Sequence, residues 1–529
     1  MLLHTVFLVL ILASSSLSAE KFFWDLNLPR NHLPFVFGHH KEVAKSCVQD
    51  SRCPYKDLVD DKTNQCWGYE DNCDRKQSYS KEEPKGCGSQ QVKNDFWFRA
   101  DFGFVTNIQQ ELKDIAICLP KDTDDSSLTC SRHMRYCKAK NLYLDFRKHK
   151  PENDRFKSDI FEKGMIGGHC TLDSELLNKQ GQHAYPLQSW YSELQNYTNL
   201  SFRPLHDDHG SNCDVIIEKP TVLMKLDSGI NLYHHFCDFF NLYLSQHVNN
   251  SWFDTDIQIV MWDTSSLGYF DIATAAWNAF TDHPIIKLQD WKGKRVCLKD
   301  AMFPLLPRMR GGLYYNTYIP NGCVGSSMFR AFSEHFLHRM GVTQNDIATE
   351  NSTKIRVTLL ERGKPEDEHV FRKIKNQDEL IEVMKEFPDF EIKVVQYKWK
   401  DISFVEQLKI THNSDIFIGM HGAGLIHFLF LPDWAVAFEL YNCDDERCYR
   451  DLARLRGLDY ITWEKPKPIP SDQGKHKRYG DHMKFWNWSF DPNEFRTLIR
   501  NARALLLVDP RVQKRMKQIN EKNSQHVEL

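Results

Sequence analysis

DIFIGMHGAGLIHFLFL, residues 415–431, decides the fold. Ile416 to Gly419 is a short apolar run opened by an acid, the pattern of a strand buried on both faces. His421-Gly422-Ala423-Gly424 follows, small enough for backbone to approach a ligand closely. The apolar run from Leu425 then reads as a helix. In a doubly wound sheet, ligands sit at the carboxyl ends of strands, and the free amides and dipole of a following helix favour an anion. The turn is therefore a place for a phosphate, or else a tight strand–helix connection without a ligand. It is neither G-x-G-x-x-G nor a Walker A loop.

The same texture extends outward. IRVTLLER (355–362), EIKVVQY (391–397), AVAFELY (435–441) and YITW (460–463) read as strands, with ISFVEQLKI (402–410) and residues 494–508 as helices. An earlier unit repeats the alternation. CDVIIEKPTVLMK (213–225) and DIQIVMWD (256–263) are strands; NLYHHFCDFFNLYLSQHV (231–248) and FRAFSEHFLHRM (329–340) carry helical spacing. Polar residues 341–354 read as a linker. The expected fold class is α/β, two Rossmann-like domains facing across a cleft, behind a Cys-rich N-terminal segment. No internal repeat is evident. The expected divisions are 1–18, 19–90, 91–345, 346–510 and 511–529.

The ends suggest an itinerary. An apolar run from Val6 to Ala13, then small residues to Ala19, has the layout of a secretory signal peptide. It is shorter than the ~20 residues that span a bilayer, and no later segment is long and apolar enough, so no transmembrane segment is expected after cleavage. Fifteen cysteines suit an oxidising compartment, and Cys47, Cys53, Cys66, Cys73 and Cys87 read as disulfide staples. Sequons stand at Asn196, Asn199, Asn249, Asn351 and Asn487. The chain closes on His526-Val527-Glu528-Leu529, which resembles the endoplasmic reticulum retrieval signals and so implies a retrieval receptor, with Val527 departing from the strongest form. Net charge is −3 and the basic stretch Arg511–Lys522 reads as a solvated helix, which excludes nucleic acid as a partner.

Several side chains could carry chemistry. Glu439 ends the strand after the turn, where a carboxylate can accept ribose hydroxyls. Arg362 ends its strand and can grip a phosphate; Arg372 reads as a solvated charge. His234 and Asp238 stand at i and i+4 on one helix, so the acid could orient the imidazole as a general base. His235 is the neighbouring alternative. Cys443 and Cys448 are expected to close a local disulfide.

At MHGAGL, FELYN and NLYHHFCDF the sequence resembles family sixty-one glycosyltransferases, inverting enzymes of the GT-B fold. The resemblance spans nearly all of the mature chain. It implies transfer of N-acetylglucosamine from UDP-N-acetylglucosamine to Ser or Thr hydroxyls of folded EGF-like domains of Notch-type receptors and matrix proteins, in the endoplasmic reticulum lumen. The alternatives are a same-fold transferase using another sugar or an O-mannosyl glycan acceptor, and a non-catalytic lectin or chaperone-like module. The donor would lie on Arg362, His421, Gly422, Ala423, Gly424 and Glu439. The resemblance also implies an acidic triplet after Trp-Asn-Ala-Phe-Thr, which here reads Asp282-His283-Pro284. Asp282 is thus a candidate catalytic acid, but Pro284 replaces the second. No tightly bound cofactor is expected, and a Mn or Mg ion stays an open alternative.

Overall fold

The computed structural model describes residues 26–516 apart from 60–64, 207–211, 252–253, 313, 315–316, 318, 321, 346–353, 364–369, 399, 442, 464–468, 473–474 and 477–479. The expected signal peptide, the sequon at Asn351 and the expected retrieval tail lie outside the described residues.

The first unit is built on an 11-stranded mixed sheet. Its spine is a long antiparallel pair, β1 (Cys137–Asp145) with a strand 150 residues later. Next come β2 (Thr221–Met224), helix α1 (Leu232–Asn249) and β3 (Gln258–Met261). Then β4 (Arg295–Phe303) runs back along β1 from Arg295↔Asp145 to Phe303↔Cys137. β2 lies parallel to both β3 and β4. The unit is therefore mixed rather than the wholly parallel sheet that strand–helix alternation implies. The run 213–225 also splits into two short strands, Val215–Ile217 and Thr221–Met224, at Pro220, whose ring lacks the amide a ladder needs.

α1 is apolar nearly all round, and it is buried from His235 to Val248. The Asn231 side chain accepts the Tyr233 amide at its start, and Asn250 takes the left-handed conformation at its end. Helix α2 (Ser327–Arg339) starts on a borrowed cap: the Asp101 carboxylate accepts the amides of Ser327 and Met328, both at 3.0 Å.

The second unit is a five-stranded, wholly parallel sheet. In chain order it holds β5 (Ile355–Leu360), α3 (Gln377–Lys385), β6 (Phe390–Val395), α4 (Phe404–His412), β7 (Ile416–Gly419), β8 (Val436–Glu439), α5 (Cys448–Arg456), β9 (Asp459–Thr462) and α6 (Pro492–Leu507). The spatial order is β6-β5-β7-β8-β9, so the chain steps outward once and then reverses past β5. That reversal opens a crevice at the carboxyl ends of β5 and β7, the place where doubly wound sheets bind ligands. Residues Ala423–Phe430 form a 3₁₀ rather than an α-helix.

One aromatic core joins the two units. Phe430, from the segment after the turn, packs against Phe236 of α1 and Phe336 of α2, each at 5.3 Å between ring centroids. Phe404 of α4 meets Phe236 at 5.6 Å. The N-terminal segment is stapled locally by Cys47–Cys53 and Cys66–Cys73, and Cys87–Cys323 ties it to the approach to α2. Three further bridges, Cys118–Cys170, Cys130–Cys137 and Cys213–Cys297, lie in the first unit.

A shared core predicts shared stability. Both units should unfold in a single urea transition, followed by tryptophan fluorescence and circular dichroism. Phe336→Ala should lower stability by about 3–5 kcal/mol while keeping that single transition; two resolved transitions would show separate cores.

Candidate active site

Arg362 follows β5 and reaches across the crevice to the turn that follows β7. Its Nη1 lies 3.5 Å from the His421 carbonyl oxygen, and its Nε donates to the Phe371 carbonyl at 2.7 Å. That carbonyl belongs to the peptide leading into Arg372, so the bond brings the two guanidinium groups together. Burial, and then the adjacent Arg372 charge, pull Arg362 down to about 10. Burial also lowers Arg372, whose Nε is enclosed without a hydrogen-bond partner. Arg372 is thus not the solvated charge that its sequence context suggested. Among the described residues, no carboxylate forms an ion pair with either arginine. Buried charge without a counter-charge is expensive, so the arrangement is suited to receiving an anion.

Gly422 makes the close approach possible. Its φ of 153° disfavours a side chain, and a Cβ there would stand 1.9 Å from Arg362 Nη1. Ala423 and Gly424 complete the turn, and a Cβ on Gly424 would meet Leu360 at 2.7 Å.

Glu439, at the end of β8, is fully buried with both carboxylate oxygens engaged. His421 Nδ1 lies 2.8 Å from Oε1, and the Tyr460 hydroxyl donates to Oε2 at 2.5 Å. Both oxygens already serve neighbouring side chains, partners that the ribose reading did not foresee. Glu439 fixes the His421 ring, which also rests edge-on against Tyr449, 5.1 Å away.

The His234–Asp238 pairing is also corrected. His234 Nδ1 bonds Asp227 Oδ2 at 2.7 Å, and Asp227 is gripped in turn by the Arg308 guanidinium at 3.0 Å. His234 lies in the first turn of α1, where the chain arriving from β2 folds over it and supplies a nearer acid than the helix does. Asp238 faces the other way: it accepts the Asp227 amide and sits 3.8 Å from His235 Nδ1, with Asp271 3.6 Å from His235 Nε2. Burial pushes Asp238 up to about 6. Sequence reasoning missed Asp227 and Arg308. An acid just past a strand's carboxyl end, ahead of a His-bearing helix, was the available signal for Asp227.

Asp282 is placed apart from both groups. It accepts the Thr255 hydroxyl at 2.7 Å, ahead of the amino end of β3, whereas Asp227 follows the carboxyl end of the neighbouring β2. The strand pairing puts the two acids at opposite ends of the sheet, so Asp282 does not join this site. Cys443 and Cys448 are free thiols, not a bridge. Cys443 packs into the core of the second sheet and Cys448 against the core shared with α1, so their sulfurs serve different interiors.

A cavity of about 780 Å³ opens between the units, bordered by Tyr233 and Tyr314 on one side and by Asp445, Cys448 and Arg450 on the other. Tyr233 touches Tyr449 at 5.4 Å, so two ring contacts lead from the residue beside His234 to His421.

The Glycosyltransferase 61 family model matches residues 168–438, a span that contains Asp227, His234, Arg362, Arg372 and the turn. The chain belongs to glycosyltransferase family 61. It is therefore a glycosyltransferase, and curated relatives are similar to it along most of their length. An EGF domain-specific O-linked N-acetylglucosamine transferase of Gallus gallus is 53% identical over 491 residues, 90% of this chain and 89% of the relative. Proteins of the same name from Mus musculus and Drosophila melanogaster are 50% identical over 493 residues (92% and 91%) and 41% identical over 457 (84% of each).

The sequons divide. Asn487 is buried, its side-chain oxygen accepting the Lys373 amide at 2.9 Å, which corrects its reading as a glycan site. Asn196 donates to the Phe161 carbonyl and Asn249 to the Ser251 hydroxyl, while Asn199 is exposed. Glycopeptide mapping of secreted protein should find a glycan at Asn199 and none at Asn487. Gly422→Ala should leave the fold intact yet weaken binding of a nucleoside diphosphate roughly tenfold or more by displacing Arg362. Calorimetry showing unchanged affinity would remove the turn from the site.

Proposed function

We propose that this family 61 enzyme transfers a single N-acetylglucosamine from UDP-N-acetylglucosamine, with inversion, to a Ser or Thr hydroxyl of folded EGF-like domains in the endoplasmic reticulum lumen. The observation that carries the donor half is the half-buried Arg362–Arg372 pair beside the Gly422 turn, with no ion-paired carboxylate among the described residues. The acceptor half rests on the relatives, which are named for that transfer. Six disulfides, the amino-terminal apolar segment and the HVEL terminus support the lumenal reading and a retrieval receptor. The two sheets, with the cavity between them, support a GT-B reading in which the second sheet takes the donor.

In this mechanism the diphosphate lies on the amides of the Gly422–Gly424 turn and between the two guanidinium groups. The acceptor oxygen attacks C1 of the sugar opposite the diphosphate. The C1–oxygen bond breaks, and UDP leaves with the electron pair. The hydroxyl proton passes to His234, whose imidazolium is stabilised by Asp227, itself held by Arg308. Charge developing on the leaving oxygen is met by the arginines, an electrostatic contribution of the kind that dominates many transfers. Asp282 stands at the far end of the first sheet with Pro284 in place of a second acid, so it offers no carboxylate pair to a cation, and no step runs through one.

Purified protein, UDP-N-acetylglucosamine and a folded EGF-like domain should yield a domain heavier by one N-acetylhexosamine by mass spectrometry, with or without EDTA. Another nucleotide sugar working in its place would favour the same-fold alternative, and binding without turnover the lectin-like one. His234→Ala should reduce kcat by ~10²–10⁴ with UDP affinity unchanged. A variant retaining full kcat would remove His234 from the base role.

A further inference from the structure

Among the described residues, five large apolar side chains stand out by exposure: Leu267 at 93%, Val508 at 71%, Tyr185 at 70%, Ile230 at 67% and Phe270 at 66%. All but Val508 sit on three loops, the one that carries Asp227 and two that are joined to it. Ile230 lies between Asp227 and His234. The backbone of its neighbour Gly229 accepts the Ile272 amide at 2.9 Å, and a Cβ on Gly229 would stand 2.5 Å from the Phe270 carbonyl oxygen. Leu267 and Phe270 share that second loop. It is pinned by Asp271, which accepts the Ala273 amide at 2.8 Å and the Trp277 indole at 3.0 Å. The loop of Tyr185 is joined through Arg308, whose amide donates to the Leu187 carbonyl at 2.9 Å and whose guanidinium grips Asp227.

Apolar side chains clustered in water on fixed backbone mark contact surfaces. The loops that carry them are tied by backbone contacts to the segment of Asp227 and His234, the pair that would take the acceptor proton. The arginines that would hold the donor lie beyond Tyr233 and Tyr449, so the donor does not cover these loops. A hydroxyl on a folded domain cannot be threaded inward alone; the surface around it must rest on whatever encircles His234. We propose that Tyr185, Ile230, Leu267 and Phe270 form the docking surface for the folded acceptor domain, and that they receive an apolar or aromatic side chain neighbouring its acceptor hydroxyl. The proposal rests on the transferase reading above.

The test uses the full secreted chain, an Ile230→Ser/Leu267→Ser/Phe270→Ser variant, the single Phe270→Ser variant, and Val508→Ser as an exposed apolar control. The triple variant should raise KM for a folded EGF-like domain roughly tenfold or more, the loss typical of removing several central contacts. Phe270→Ser should raise it by a smaller factor and Val508→Ser should leave it unchanged, with UDP affinity by calorimetry and the unfolding midpoint constant throughout. Transfer by the wild type with unchanged acceptor KM in both loop variants would overturn the docking surface alone. No transfer by the wild type would overturn the transferase reading and the docking surface with it. A wild type that self-associates in sedimentation velocity, made monomeric by the triple variant, would assign the face to a second copy and overturn the proposal.

Discussion

Two half-buried guanidinium groups side by side, with no ion-paired carboxylate among the described residues, form the constraint around which the second unit is organised. Each charge loses hydration and repels the other, so the arrangement persists only because covalent and packing forces hold it. The Phe371 carbonyl fixes Arg362 and carries the chain directly into Arg372. Arg372 itself adopts a φ of 64°, a left-handed conformation costing a non-glycine residue about 1–2 kcal/mol. The reversal of strand order opens the crevice in which both stand, and the bare Cα of Gly422 leaves room for one of them. Such stored cost is typical of a site whose ligand supplies the missing charge.

Much of this second unit is legible in the sequence because parallel strands covered on both faces must be continuously apolar. Ile416–Gly419 and Val436–Glu439 are buried throughout and read as strands at once. The small-residue turn is equally plain. Partners are harder to read. An i, i+4 rule sees only neighbours along a helix, so it pairs His234 with Asp238, while the true acid arrives from a strand end seven residues earlier. Glu439 looks available in sequence because nothing in its own strand reveals that His421 and Tyr460 will take both oxygens. A charge such as Arg372 carries no mark of burial. The β1–β4 pairing joins segments with nothing local in common, which is why an alternating α/β pattern concealed a mixed sheet.

The aromatic core explains why the donor-side turn is so firmly placed. Phe430 ends the segment that begins with Ala423, and its ring is seated between α1 and α2. The same helix α1 begins with His234. One packed surface therefore sets the position of the turn on one unit and of the imidazole on the other, and rotation of either sheet about that contact would expose buried rings to water.

The bridge between Cys87 and Cys323 spans 236 residues. During synthesis at ~5–20 residues per second, the first thiol waits on the order of 10–50 s for its partner. Cys118, Cys130, Cys137, Cys170, Cys213, Cys237 and Cys297 all emerge in that interval, each able to capture it. Correct pairing depends on the shorter loops closing first among themselves: Cys130–Cys137 spans only 7 residues and Cys118–Cys170 52. The chain thus carries a timetable for its own oxidation, in which the N-terminal segment is fastened last, once the helix it rests against exists.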